Sequence, residues 1–591
     1  MSALSFSKAL RNGSSALALS TIALIGAPAA QAGDGIFGGG STLASLAERQ
    51  LSANFYGFTP STTTVAPNIL LLYAAIGSGS GQRIFISNDP AQGFLGAGLD
   101  PATPPDYLFP SLGFSTYPYP RIDFGASDSP LPANFTTGYT TTTYNWDQVN
   151  HTRTAAGSVS YPTASYGQPI QLPLFEAPVA VAVNLPEVSQ STGTTVAGGV
   201  TWTIKSQLPA SPAPYGGRIQ LSTAQICAVF SGLVTDWSSN ATIPTLSSTG
   251  VAGTEGFADA NTWRAASTAG TPGSGGGTVY AGSSKPITIV YRADGSGTSF
   301  IFTNYLKTVC PLLDPSNTYG YQSIFVTSVL PNNSFTQLIN KVTAYGRTLN
   351  TVGADGSDAV AAAIGNNTTN HGYIGYLSAD FVQPNNTATT SPYAANVQND
   401  YLRANSVYHP GQTISGATTP SDFAAPSPLG AEAAWAALTV PTTADFNAWN
   451  VYAQTFPANT NLPGSPLYPN PGWVDIGGRS ILPLASGDGA YPLTGTAYGF
   501  FYSCYGAGSG GTPTAASRVS NLVSYLKWHY KLSSPAGNAE DVIIVNGFGP
   551  LPTSWTSAIA SFYLSSSSTS ITAYGASPAN GCTSVTGTGA H

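Results

Sequence analysis

The chain has 591 residues, so more than one domain is expected at ordinary domain sizes. Only 8% of its residues are charged, against a usual share of about 25%, yet 42% are hydrophobic and 11% aromatic, ample for a core. The formal net charge is −7 and basic residues are scattered singly, which argues against nucleic-acid binding, because counterion displacement needs grouped Lys and Arg.

Residues 1–32 read as an export signal. Lys8 and Arg11 form a short basic region, "ALALSTIALIGAPAA" an apolar one, and "AQA" ending at Ala32 a small-residue cleavage site. The apolar run is short and broken by Pro28, so no membrane anchor is expected, and no Cys stands near the cleavage site to carry a lipid. A mature chain starting at Gly33 loses two positive charges, which takes the net charge from −7 to −9. A periplasmic or secreted location follows from this reading.

"STLASLAERQLSANF" predicts an early helix with Leu43, Leu46, Ala47 and Leu51 on one face and Ser41 or Thr42 capping its start. "PNILLLYAAIGSGSG" reads as a strand running into a Gly/Ser turn, and "PVAVAVNLP" as a second buried strand. "KPITIVYRADGSGTSFIFTNYL" is strand, turn, helix; "GYIGYLSADF" is strand and turn. "RVSNLVSYLKWHY" predicts an amphipathic helix presenting Val519, Leu522, Val523 and Leu526. Strands alternating with helices indicate an α/β class. Loop-rich insertions separate these elements at 90–120, 132–170, 253–284 and 383–480, and no periodic repeat stands out.

All four cysteines follow the signal. An even count in an exported chain suggests two disulfides, expected in the sequential pairing Cys227–Cys310 and Cys504–Cys582. Each closes a loop of about 80 residues, worth roughly 4 kcal/mol in the chain-entropy model. No Cys or His spacing suggests a metal site, and no cofactor is implied.

The stretch "YRADGSGTSFIFTNYL" from Tyr291 carries the chemistry. The first N–H groups of a helix lack internal partners and favour negative charge. Gly295 and Gly297 allow backbone N–H groups close to a ligand, Ser296 and Thr298 add hydroxyl donors, and Arg292 supplies a planar cationic fork. Two further turns have this character: "GGGSTLAS", with Thr42 and Leu43 at its helix start, and "IGSGSG", with Ser78. A fourth piece, "DFGASDSPL", ends a short strand with Asp128. A carboxylate in an anion site accepts the proton of a protonated phosphate and repels sulfate, which carries none at neutral pH.

In order, "GGGSTL", "IGSGSG", "DFGASD" and "RADGSGTSFIFTNYL" resemble the phosphate-binding motifs of the periplasmic phosphate receptors of bacterial ABC transporters. "LSTAQICAVFSGLVTDW", "FYSCYG", "GFGPLPTSW" and the late Cys582 extend the resemblance to the DING branch of phosphate-binding proteins. The start "DGIFGGGSTL" departs from the Asp-Ile-Asn-Gly start that names that branch. The resemblance implies a two-lobed periplasmic binding protein fold of type II, hinge-linked, with lobe 1 at 33–181 and 498–591 and lobe 2 at 182–497. It implies inorganic phosphate as ligand, held by Thr42 and Leu43 (backbone N–H), Ser78, Asp128, Arg292, Asp294, Ser296, Gly297 and Thr298. In that family the residue matching Asp294 orients the arginine and the one matching Asp128 accepts the phosphate proton. A transporter permease is the implied partner, and a monomer the expected state.

A secreted phosphatase or phosphoesterase is the main rival, since a phosphate site is also a product site. Against it, no GxSxG elbow and no P-loop lysine occur, and the five histidines (His151, His371, His409, His529, His591) show no metal-ligand spacing. Most of these histidines are expected on the surface or in loops. A second rival is a surface or matrix protein using the fold as scaffold.

Overall fold

The structure, a computed structural model, describes residues 35–57, 69–93, 119–184, 193–204, 220–244, 278–399, 423–440 and 485–591, apart from short breaks inside these ranges. The expected export signal lies outside the described residues, as do most of the insertions at 90–120, 253–284 and 383–480.

Nine strands form one mixed sheet. In chain order they are β1 (Ile36–Gly40), β2 (Leu71–Ala75), β3 (Phe124–Ser127), β4 (Pro169–Asn184), β5 (Thr288–Arg292), β6 (Thr351–Ala354), β7 (Tyr373–Ser378), β8 (Tyr393–Ala394) and β9 (Thr494–Tyr502). Across the sheet the order is β6-β5-β7-β4-β9-β3-β1-β2, with β8 also on β4. Strands β1, β2 and β3 run parallel, as do β5, β6 and β7. β4 and β9 are antiparallel to each other and to the neighbours they join.

β4 is the spine of this arrangement. Its residues Pro169–Pro178 pair with β9, and its residues Val179–Asn184 pair with β7. The sequence reading recognised only the second part, because prolines stand at 169, 173 and 178. A proline cannot donate to a ladder, so it is tolerated at strand starts, bulges and changes of partner. Pro169 opens the strand, Pro173 adjoins the register shift opposite Ala497/Tyr498, and Pro178 sits where the partner changes.

Alternating side chains bury both faces of the sheet, as parallel α/β sheets require. Ala180, Ala182, Val290 and Leu377 pack with Val360, Ala361 and Ile364 of one helix (α4, Gly356–Ile364). Val181, Val183, Ile289 and Tyr376 belong to the main core with Phe302 and Leu306 of another (α3, Gly297–Leu313). Each such large apolar side chain contributes about 1.5–3 kcal/mol by burial.

The early helix (α1, Ser45–Gly57) buries Ala47, Leu51 and Phe55 as its period suggests, but Leu46 is only half-buried and Glu48 is fully buried instead. The helix Ala515–His529 buries Leu522 and Leu526, with Val519 and Val523 half-buried. Residues 132–170 include an antiparallel hairpin, Thr141–Asp147 with Thr152–Val159, anchored where the Gln92 amide exchanges hydrogen bonds with the Tyr144 backbone at 3.0 and 3.2 Å.

Both disulfides form in the sequential pairing, Cys227–Cys310 and Cys504–Cys582. The first ties the helix Thr223–Phe230 to α3. His529 is an exception among the histidines, most of which are expected on the surface or in loops: it is buried, its Nε2 3.0 Å from the Leu174 carbonyl. Burial pushes its ring down to about 4, against the opposing effect of that hydrogen bond, so it is a neutral core residue near neutral pH.

Candidate functional site: a buried cation and a buried carboxylate between two halves

Four chain turns converge at the ends of β1, β3 and β5 and at the start of a helix after β2 (α2, Ser78–Ser87). Gly77, just before α2, has φ 87°, a conformation that favours glycine, and it aims the first residues of α2 toward the turn after β5. There the Gly79 N–H donates to the Gly295 carbonyl at 3.3 Å. A second cross-contact has the Ser378 hydroxyl donating to the Leu43 carbonyl at 3.3 Å.

Arg292 ends β5 and is almost completely buried. Its Nε donates to Asp294 Oδ1 at 2.6 Å, and its Nη2 donates to Asp294 Oδ2. Nη2 also donates to Thr42 Oγ1 at 2.5 Å, while Nη1 donates to Thr298 Oγ1 at 3.1 Å and to Ser357 Oγ at 3.3 Å. The two-toothed edge of the guanidinium is therefore taken by Asp294, and the rest of it faces a ring of three hydroxyls. Asp294 is held in turn by the Gly356 N–H at 3.2 Å, at the start of α4. Burial works to raise the Asp294 carboxyl, but the charge and hydrogen bonds of Arg292 and the Gly356 N–H outweigh it and hold it below its ordinary value.

Asp128 follows β3 and is also buried. Its Oδ2 accepts from the Ser41 hydroxyl and from Ser78 Oγ at 3.3 Å, while its N–H donates to Ser78 Oγ at 3.2 Å. Its Oδ1 is buried without a hydrogen-bond partner. Burial pushes the Asp128 carboxyl up to about 6, opposed by the Ser41 hydrogen bond, the Arg292 charge and the Ser78 hydrogen bond.

All nine residues proposed from the sequence stand at this junction. Ser78 and Asp128 touch each other; Thr42, Asp294 and Thr298 touch Arg292. Ser296 caps α3 by accepting from the Thr298 N–H at 3.1 Å. Gly297 packs on Asp128 and Ser78 so closely that a Cβ there would lie 2.5 Å from the Asp128 Cβ. Leu43 is buried, and its N–H donates to Ser41 Oγ at 3.1 Å.

Three contacts escaped the sequence reading: Ser41, expected only as a helix cap, on Asp128; Ser357 on Arg292; and Ser378 on Leu43. Ser357 had a signal. "ADGS" occurs at Ala293–Ser296 and again at Ala354–Ser357, each time after a strand and before an apolar helix. β5 and β6 are parallel neighbours with Arg292 opposite Ala354, so the two turns lie side by side. Among the described residues, no group of three or more His, Cys, Asp or Glu is able to hold a metal ion.

Residues 26–413 match the profile of the PBP superfamily domain. The chain belongs to the PBP superfamily. It is 26% identical over 349 residues to a phosphate-binding protein from an unknown prokaryotic organism, covering 59% of this chain and 68% of that relative. It is also 26% identical over 350 residues to alkaline phosphatase L of Pseudomonas aeruginosa strain UCBPP-PA14, covering 58% of this chain and 60% of the relative. A solved DING protein structure superposes with a TM-score of 0.50 at 21% identity, covering 94% of this chain and 99% of that one. The PBP fold here is the two-lobed type II α/β fold, with β4 and β9 running between the halves.

Proposed function

We propose that this chain is an extracytoplasmic receptor for inorganic phosphate, which sits between the two lobes. The observation that carries the reading is one buried site holding both a cation, Arg292, and a carboxylate, Asp128, with one oxygen left unpartnered. The first, its charge balanced by Asp294, orients a ring of hydroxyls whose protons are left for an anion, and only an anion that still carries a proton is tolerated by the second. Phosphate near neutral pH meets both conditions and sulfate meets one.

The ring of hydroxyls supplies the donors. Thr42 and Thr298 each accept from Arg292, so their own protons are directed away from the cation and toward the anion. Ser296 and the N–H group of Gly297 add donors, Ser78 and Leu43 line the site through Asp128 and Ser41, and Asp294 orients Arg292. In this reading lobe 1 comprises 33–181 and 498–591, lobe 2 comprises 182–497, and phosphate closes them by hinge motion. The relative named a phosphate-binding protein supports the ligand. Two disulfides suit an oxidising compartment, reached through the signal at 1–32. Delivery to a transporter permease and a monomeric state are part of the same proposal.

A second reading has a specific observation in its favour, since three relatives bear the name alkaline phosphatase L. One experiment separates the two. Calorimetry of the refolded, phosphate-free protein is run with phosphate and with sulfate, and p-nitrophenyl phosphate turnover is measured on the same preparation. One-to-one phosphate binding, no sulfate signal and no turnover is the expected result. No phosphate binding overturns the receptor reading, and turnover that disappears in Arg292→Ala establishes the hydrolase.

A further inference from the structure

The geometry points to Ser41 as the residue that keeps Asp128 an obligate hydrogen-bond acceptor and so sets which anions the site admits. Its oxygen accepts from two backbone N–H groups, Leu43 at 3.1 Å and Ala44 at 3.3 Å. Those bonds use both of its lone pairs, so its one proton is committed outward, and it is donated to Asp128 Oδ2. Ser78 adds a second, less constrained contact: its oxygen accepts the Asp128 N–H at 3.2 Å, and its hydroxyl donates to the same Oδ2 at 3.3 Å. Ser41, with its direction imposed, and Ser78 together occupy Oδ2 and leave Oδ1 as the open acceptor of this carboxylate, buried and unpartnered.

Without these donors, burial favours the neutral acid, which presents a proton instead of accepting one. A protonated Asp128 welcomes sulfate as readily as phosphate. Ser41 is a positioning residue in this scheme: it acts on the anion through Asp128. The other groups that face Asp128 are Glu48 on α1, Tyr73 on β2 and Arg292 on β5. Of these Arg292 is cationic, and it too favours the carboxylate. Neither Glu48 nor Tyr73 donates to Asp128; the Tyr73 hydroxyl donates to the Ser41 carbonyl at 2.7 Å, which fixes the backbone that places Ser41.

The inference rests on the phosphate reading for its consequence, and its test has one readout that does not. The Asp128 carboxyl is followed by carbon NMR across pH 4–9 in the ligand-free full chain, assigned by its absence in Asp128→Asn. Wild type is compared with Ser41→Ala and with Ser41→Cys, which keeps the shape and offers a poor donor. Phosphate and sulfate are then titrated into each protein by calorimetry. The expected result is a titration midpoint raised by about one pH unit or more in both variants, with the phosphate-over-sulfate ratio at pH 7 reduced about tenfold or more. An unchanged midpoint in the folded variants overturns the proposal and leaves Ser41 a helix cap. A raised midpoint in a protein that binds neither anion keeps the control of Asp128 by Ser41 and removes the phosphate reading instead.

Discussion

Gly297 and Asp128 meet across the cleft: a Cβ on Gly297 would stand 2.5 Å from the Asp128 Cβ and 2.6 Å from Ser78 Oγ. This contact joins the first turn of α3 to the turn after β3, so their close approach depends on there being no side chain at position 297. Gly297→Ala is therefore predicted to lower phosphate affinity at least tenfold. The clash includes the Asp128 Cα at 2.8 Å, so the two turns must move apart to relieve it, and thermal stability of the ligand-free protein should hold or fall. Calorimetry together with a melting curve checks both signs, and unaltered affinity would show that the two turns need not touch in the bound state.

Arg292 is predicted to be the cation on which binding depends. Arg292→Ala should reduce phosphate affinity by more than a hundredfold, because removing one partner of a buried charge-assisted contact costs several kcal/mol. Asp294→Asn is a milder change. It keeps the shape but removes the charge that holds Nε and Nη2, and a loss of about tenfold is expected. An isotherm for Asp294→Asn matching wild type would show that Thr42, Thr298 and Ser357 alone position the guanidinium.

Asp128 gives the site its dependence on pH. Its carboxyl, pushed up to about 6 by burial against the pull of Ser41, Arg292 and Ser78, is ionised above that value and neutral below it. Rejection of sulfate should accordingly be strong at pH 8 and fade as pH falls through about 6. Asp128→Asn should admit sulfate at every pH. Competition titrations at pH 5 and pH 8 measure this, and a variant with the wild-type preference would remove the proton-accepting role.

The parts of the site that could be read in the sequence are those packed into one turn. Arg292, Asp294, Ser296, Gly297 and Thr298 lie within seven residues, and strand, glycines and helix announce the turn around them. Ser357 and Ser378 reach Arg292 and Leu43 only because β5, β6 and β7 are neighbours, a pairing that no local pattern specifies. Ser41 was visible as a cap, but its second bond, to Asp128, spans 87 residues. In the fold, β2, β5 and β7 were legible from their apolar runs, whereas β1, Ile-Phe followed by three glycines, was not. The first half of β4 was not, because its three prolines imitate a loop until the bulge and the change of partner are known.

Glu48 shows most plainly what periodicity misses. It lies on the buried face of α1, has an Oε1 without a partner, and receives one long contact, 3.5 Å, from the Tyr525 hydroxyl. Burial pushes its carboxyl up to about 8 from an ordinary 4.5, the Tyr525 bond opposes this, and the Asp128 charge adds to it. The folded protein thus binds a proton there that the unfolded chain has released, and its stability contribution is full below about 4.5 and lost as pH rises to about 8. Across that window Glu48 should cost at most about 1.4 kcal/mol per pH unit. Glu48→Gln, which keeps the shape and cannot ionise, should flatten this part of the profile. The variant should match wild type near pH 4.5 and be the more stable protein at pH 8 and above. Denaturant midpoints of the phosphate-free proteins at the two pH values test it, and parallel profiles would mean that Glu48 finds a partner when it ionises.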